Sequence, residues 1–358
     1  MMKRSKEILI LGASYGSLLG AKLALAGHKV HLVCLPQEAE VINENGVLVR
    51  MPVRGRPEPV LIDSKTLAGE VTAGGPEAVD VDRFDLVALA MQEPQYRLDE
   101  IRSLLQRIGD AGKPCMSIMN MPPLPYLRRI PGLDCDALRE CYVDASVWDA
   151  LEPSLVTLCS PDPQAFRPPG EPLNLLQVAL PTNFKAARFE RDEHTELLRQ
   201  LERDIVDARL NVDGEEIELP VKLRVHDSIF VPMAKWSMLL TGNYRCIQRD
   251  RLIAIRDAVH GDIAESKRIY DWVADLCITL GADRDDLVPF EKYAKAAEGL
   301  EKPSSAARAL DSGAVFIERV DLLVKNVALQ HGLRDSAIDQ IVDDVEFRLE
   351  RNRALKAS

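Results

Sequence analysis

Paired cysteines are missing. The chain of 358 residues carries seven cysteines, at 34, 115, 135, 141, 159, 246 and 277, and no C-x-x-C. An odd, scattered set in a chain of this length excludes a disulfide framework and reads as reduced thiols, hence a cytoplasmic protein. A basic excess is missing too. The net charge of −11 excludes a general binder of phosphate backbones, which needs a cationic face, so no nucleic-acid partner is expected. Long apolar runs are absent. The start "MMKRSKEILILGAS" is basic, but its apolar run is only Ile8–Leu11, which suits neither a signal peptide nor an anchor. No stretch approaches the ~18 apolar residues of a spanning helix, so no membrane partner is expected. The six histidines (28, 31, 194, 226, 260, 331) show no metal-ligand spacing such as H-E-x-x-H, so no metal site is expected. No Ser-His-Asp or Cys-His nucleophile arrangement stands out.

What is present is a globular composition, 46% hydrophobic and 28% charged, long enough for two domains. Short apolar strands, at 7–11, 29–34, 47–50, 59–62, 85–90, 114–119, 155–159 and 174–180, alternate with helical patterns at 16–26, 37–44, 95–109 and 193–208. That alternation predicts an α/β domain with a mainly parallel, doubly wound sheet. The Pro-rich "CSPDPQAFRPPGEP" (159–172) reads as an exposed loop. After about residue 215 the strand signal ends, and "FVPMAKWSMLLTGN" and three longer segments have helical spacing, with Gly281 and Gly332 where C-terminal caps belong. The division predicted is 1–215 for a dinucleotide-binding domain and 216–358 for an all-α domain, with an active site in the cleft between them.

The opening "EILILGASYGSLLGAKLALAGHKVHLVC" (7–34) has a βαβ pattern with a small-residue turn where dinucleotides bind. The fingerprint G-x-G-x-x-G is altered to Gly12-Ala13-Ser14-Tyr15-Gly16-Ser17. Read without a gap, Ser14 and Ser17 take the second and third glycine positions, and their hydroxyls could donate to phosphate. With one residue deleted, Gly16 becomes the third glycine. In either reading the helix N-terminus faces an anion, and Gly12, Ser14, Tyr15, Gly16 and Ser17 are the candidate cofactor residues. A ligand-free βα turn is the plain alternative. Strand two ends in Cys34 and Leu35 instead of the acid that receives an NAD ribose or the arginine that accepts an NADP phosphate. Arg50 or Arg54 is the nearest candidate for the latter role.

Lys235 is the only charged residue in "IFVPMAKWSMLLTGN" (229–243). An ammonium among apolar neighbours either has a shifted pKa suited to proton transfer or snorkels to water. His226 in "RVHDSIF" could add a proton donor with Asp227, although Asp227 as a helix cap is the simpler account. His28 and His31 read as structural.

The segments "ILILGASYGSLLGAKLALAGHKVHLVC", "INENGVLVR", "FDLVALAMQEPQ" and "IMNMPP" together resemble the N-terminal domain of the ketopantoate reductase family, and order and spacing match over nearly the whole chain. The resemblance implies a Rossmann-like domain followed by an all-α domain, a 6-phosphogluconate-dehydrogenase-like arrangement. It also implies NADPH as cofactor, with NADH admitted, and a small 2-oxo acid as substrate. The family's Lys-Asn-Asn series, at four-residue steps, stands here as Lys235, Leu239 and Asn243. By that likeness Lys235 is the general acid and Asn243 binds substrate, while Leu239 departs from the pattern and makes the site more apolar. "KPSSAARALDSGAVFIERVDLL" resembles the family's Ser, Gly and Glu in Ser305 (or Ser304), Gly313 and Glu318, and the likeness implies Ser305 and Glu318 as substrate-side residues. Periodicity offers another account of Glu318. An apolar stripe of Phe316, Val320, Leu323 and Val327 would leave Glu318, Asp321 and Lys325 on a solvated helix face. Asn120 matches a cofactor-side Asn-Gly with Met121 in place of the glycine, and Gln92 stands where the family has a lysine.

The function expected is NAD(P)H-dependent reduction of a 2-oxo acid, an oxidoreductase acting on a CH-OH/C=O group. Two alternatives stand beside it: an opine- or imine-type dehydrogenase on the same architecture, and a non-catalytic dinucleotide-binding regulator. The apolar second half is compatible with a homodimer.

Overall fold

The computed structural model describes residues 5–357. These form two compact units: the first runs to Met91 and includes Gln95–Met119 and Ser146–Asp227, and the second holds Gln92–Pro94, Asn120–Ala145 and the chain from Ser228 onward.

The first unit is built on strands β1 (Glu7–Leu11), β2 (Lys29–Val33), β3 (Leu48–Met51), β4 (Val60–Asp63), β5 (Glu70–Gly74), β6 (Leu86–Leu89) and β7 (Cys115–Ile118). It continues with β8 (Val156–Ser160), β9 (Gln164–Phe166), β10 (Leu175–Leu180), β11 (Phe184–Ala187), β12 (Leu210–Val212), β13 (Glu215–Ile217) and β14 (Leu223–His226). The main sheet has the order β14-β11-β8-β7-β6-β1-β2-β5. From β8 to β5 every pairing is parallel, and β11 joins β8 antiparallel. The chain reverses its direction of travel across the sheet between β1 and β6, the position where open α/β sheets bind ligands. Ile8, Leu9, Ile10 and Leu11 are fully buried, as a strand covered on both faces requires, each contributing roughly 1.5–3 kcal/mol of apolar burial. Helices α1 (Tyr15–Leu25), α2 (Pro36–Asn45) and α3 (Asp99–Asp110) belong to this unit, as does the helix Asp192–Asp207.

A second sheet in the same unit, β4-β3-β10-β9, was not expected as a separate layer. The Pro-rich stretch 159–172, read from sequence as a loop, carries β9, which pairs antiparallel with β10. Strands also persist beyond residue 215. Leu223–His226 pairs parallel with β11, Phe184 opposite Leu223 and Ala187 opposite His226. The first unit therefore extends to Asp227, whereas the helical pattern had suggested a division at 215. The short alternating stretch "LRVH" gives too weak a period to be seen alone.

The second unit is helical apart from an isolated bridge between Ile247 and Leu252. Its long helices are Ile263–Thr279 and Ser336–Ala357, and Val320–Gln330 packs on the latter. Residues 120–145, which follow β7 in sequence, cluster with these helices. No helix among the described residues is long and apolar enough to cross a membrane.

Candidate functional site

In the first unit, the turn after β1 explains its own altered fingerprint. Gly12 has φ +104°, and a Cβ there would lie 2.8 Å from Met91 Cγ and 2.9 Å from Ala90 O. Only glycine suits both the left-handed backbone and the close approach. Gly16 is buried against β1, where a Cβ would lie 2.7 Å from Ile10 Cγ2. That is the helix–strand packing role of the third glycine, so the reading with one residue deleted fits the geometry. Ser17 is buried, and its hydroxyl donates to Ala13 O, which removes the phosphate-donor role considered for it. Ser14 is exposed and makes no side-chain cap, and Tyr15 is half-buried. The first turn of α1 contains no acidic residue, leaving its backbone N–H groups favourable to an anion. The tight turn at Gly12 and the acid-free helix start that follows it fit a dinucleotide pyrophosphate.

In the second unit, the segment around Lys235 is not one regular helix. A 3-10 turn, Val231–Ala234, leads into an α-turn, Lys235–Met238, and then a π-turn, Leu239–Tyr244. Eight residues overrun two α-turns by about 80°. The π-turn, wider by one residue, takes back part of that overrun between Lys235 and Asn243. Gly242 permits it: a Cβ there would lie 2.1 Å from Tyr293 Oη, and this hydroxyl donates to Met238 O, at the edge of the π-turn. Lys235 and Asn243 are half-buried and Leu239 is buried.

Glu318 lies in the segment preceding the helix Val320–Gln330, not on a helix face as the periodicity suggested. Glu93 N donates to its Oε1 (3.3 Å), and the Asn120 side chain donates to its carboxyl. Burial pushes the Glu318 carboxyl up to about 7, against the Glu93 N–H, Asn120 and the nearby Lys235 ammonium, which lower it. The proximity of Lys235, Glu318 and Asn120 joins the residue expected as general acid and one expected on the substrate side with one expected on the cofactor side. Tyr244, at the end of the π-turn, donates its hydroxyl to Glu318 O and accepts from Val320 N, pinning the backbone on both sides of Arg319. Among the described residues Asn120 Oδ1 is buried with no donor, an acceptor suited to a ligand amide or hydroxyl.

The remaining expectations fare variously. Ser304 is the buried N-cap of the helix Ser305–Asp311, accepting from Ala307 N and from Cys246 Sγ, which leaves Ser305 exposed at the first helical position. Gln92 is exposed, and Glu93 beside it is buried, its Oε1 accepting from Val143 N. Asp321 is fully buried and paired with Arg319 at 3.1 Å, so it is no solvated surface residue, and Lys325 pairs with Asp339. His226 ends β14, and Asp227 pairs with Arg199 instead of capping a helix. His28 is buried 3.2 Å from Asp204, and His31 Nδ1 lies 2.9 Å from Thr72 Oγ1. Sequence reasoning missed Glu93, Tyr244 and Tyr293. The one available signal was Glu93, an acid directly after the apolar run "LVALAM".

No protein-family model and no curated protein sequence matches the chain. Solved structures do. A ketopantoate reductase from Ralstonia eutropha JMP134 matches over 97% of this chain and 99% of its own, at 15% identity and a TM-score of 0.64. A dimeric ketopantoate reductase from Staphylococcus aureus matches over 97% and 99%, at 11% identity and 0.58. A D-mandelate dehydrogenase in complex with NADH matches over 96% and 99%, at 13% identity and 0.59. Over about 97% of its length the chain thus has the two-part fold of these ketopantoate reductases: a Rossmann-like unit and a helical one.

Proposed function

We propose that the protein is a nicotinamide-dinucleotide-dependent oxidoreductase that reduces the carbonyl of a 2-oxo acid. The observation that carries this reading is the proximity of Lys235 and Glu318, a half-buried lysine near a carboxyl that accepts from Glu93 N and Asn120 and that burial pushes up to about 7. A fold serving only as a scaffold has little reason to keep such a pair among apolar neighbours. The turn residues Gly12, Ser14, Tyr15 and Gly16 would hold the dinucleotide phosphates through backbone N–H groups, with Ser17 locking the turn. Gln92 and Asn120 would serve the nicotinamide side. When bound, the reduced coenzyme supplies the hydride that the carbonyl carbon accepts.

The chain's own work is then to bind, orient and protonate. Lys235 Nζ hydrogen-bonds the carbonyl oxygen and transfers a proton to it as negative charge develops there, and the resulting neutral amine is reprotonated from solvent. A preorganised cation at that oxygen is the main electrostatic contribution. Asn243, Ser305 and Glu318 would hold the substrate's carboxylate and flanking polar groups. Glu93 N–H and Asn120 keep the Glu318 carboxyl in place. The dimeric S. aureus neighbour and the apolar helices support a homodimer.

The test is oxidation of reduced coenzyme over a panel of 2-oxo acids, each with and without ammonia or a primary amine. Turnover with the acids alone supports the reading. Turnover only when an amine is present transfers the site to imine reduction, a chemistry that the apolar Leu239 would suit. Coenzyme binding without turnover on any member leaves a non-catalytic binder and removes the proposal.

A further inference from the structure

We propose that Glu38 and Arg167 form a coenzyme-selecting pair that favours NADH over NADPH. The inference rests on the reductase reading and concerns the adenosine end of the same coenzyme. In this fold the ribose next to adenine lies at the end of the second strand, read by an acid about twenty residues beyond the glycine turn or by an arginine nearby. The sequence shows neither at Cys34 and Leu35. The acid, Glu38, stands just beyond, in the first turn of α2, and the fold brings the arginine, Arg167, from the end of β9.

Glu38 stands in the first turn of α2, and its Oε2 accepts from Leu35 N (3.4 Å). Arg167, directly after β9 and 129 residues downstream of Glu38, pairs with its Oε1. A second guanidinium N–H of Arg167 donates to Ala13 O (3.2 Å), inside the glycine turn, and Arg167 is close enough to Cys34 to oppose the burial that pushes this thiol up to about 11. The pair thus spans the turn after β1, the end of β2 and the start of α2. Arg50, the candidate read from sequence, turns instead to Glu171 and Gln177. Leu35 is 70% exposed beside the pair, apolar surface of the kind an adenine ring covers.

The charge arrangement decides between the coenzymes. Glu38, with a side chain 12% exposed, keeps acceptor lone pairs for two donors, which the 2′- and 3′-hydroxyls of NADH supply. The 2′-phosphate of NADPH offers no such donor and brings two negative charges to a carboxylate. Arg167 commits two of its five N–H donors to Glu38 and Ala13 O, so a 2′-phosphate drawn to the remaining ones must share the single guanidinium charge with Glu38, leaving a largely buried carboxylate next to a dianion. Juxtaposed like charges of this kind are strongly disfavoured. The pair therefore replaces the NADPH implied by family likeness with NADH.

The test is titration calorimetry of the full chain with NADH, NADPH, AMP and adenosine 2′,5′-bisphosphate, for the native protein, Glu38→Gln and Arg167→Ala. The native protein is expected to bind NADH, and AMP over the bisphosphate, at least about tenfold tighter than the phosphorylated partner. Glu38→Gln removes the charge at constant shape and should shrink that ratio by about tenfold, mainly through tighter NADPH. Arg167→Ala should weaken NADH without improving NADPH. Tighter native binding of NADPH, lost selectively in Arg167→Ala, would identify Arg167 as a phosphate receptor and overturn the proposal, as would a ratio indifferent to Glu38→Gln. In both cases the reductase reading survives. If the folded native protein binds none of the four, the inference and the reductase reading fall together.

Discussion

Replacing Glu318 by glutamine separates the two forces acting on this carboxyl. Burial raises it, while the Lys235 ammonium, the Asn120 amide and the Glu93 N–H lower it, and burial prevails, leaving it at about 7 against an ordinary 4.5. Ionising a group so displaced costs the folded state roughly 3 kcal/mol. Because Glu318 keeps partial access to water, about 2 kcal/mol is the discounted figure. The folded-state value lies above the unfolded one, so the folded protein holds the extra proton between about pH 4.5 and 7. The group's stabilising contribution is complete below that window and lost as pH rises through it. Glutamine cannot ionise, and its Oε1 can still accept from Glu93 N. Urea unfolding of the two proteins side by side should therefore give similar stabilities near about pH 4.5 and a glutamine variant more stable by about 2 kcal/mol near pH 8. The more stable variant should also be the less active one, the usual cost of a strained functional group. A glutamine variant less stable than wild type at the higher pH would show that the attraction of the nearby Lys235 ammonium and the hydrogen bonds to the carboxylate outweigh burial, and the reasoning would be wrong.

Two further outcomes follow from the first unit. Gly16→Ala places a methyl 2.7 Å from Ile10 Cγ2 and should cost about 1–3 kcal/mol in thermal unfolding while weakening coenzyme binding. Ile10→Leu, lacking that branch methyl, should restore part of the loss. Lys22 is buried, donates to Leu219 O and Pro220 O, and is pushed down to about 7 by burial first and then by Lys222. Between about 7 and 10.5 the unfolded chain holds the extra proton, so wild type gains stability as pH rises. The stability difference between Lys22→Met and wild type should therefore shift in favour of wild type between about pH 6 and 10. A pH-independent difference would contradict the assigned cause.

The elements with a strong period were legible in the sequence: β1, α1 and β2 stand out in "EILILGASYGSLLGAKLALAGHKVHLVC", because buried parallel strands are continuous apolar runs and α1 is rich in Ala and Leu. β5, β11 and β14 were not, since four- or five-residue strands at or near a sheet edge mix polar and apolar residues and depend on their neighbours for identity. Lys235 was legible as a charge in apolar surroundings. The π-turn that alters its relation to Asn243 was not, because it depends on Tyr293 reaching Met238 O over Gly242, a tertiary contact. The alternative account of Glu318, a solvated helix face, fails because Phe316, Val320, Leu323 and Val327 continue a helical period back past the true start of the helix at Val320. Arg167 and Glu38 lie too far apart in sequence for any local pattern to join them.

The central claim is that Lys235 supplies the proton to a carbonyl oxygen. Lys235→Ala should be compared with wild type in two measurements on the same samples: turnover with the best 2-oxo acid, and coenzyme affinity by fluorescence titration. The account expects kcat/KM to fall by about a hundredfold to ten-thousandfold with coenzyme affinity nearly unchanged. Undiminished turnover in Lys235→Ala would contradict it.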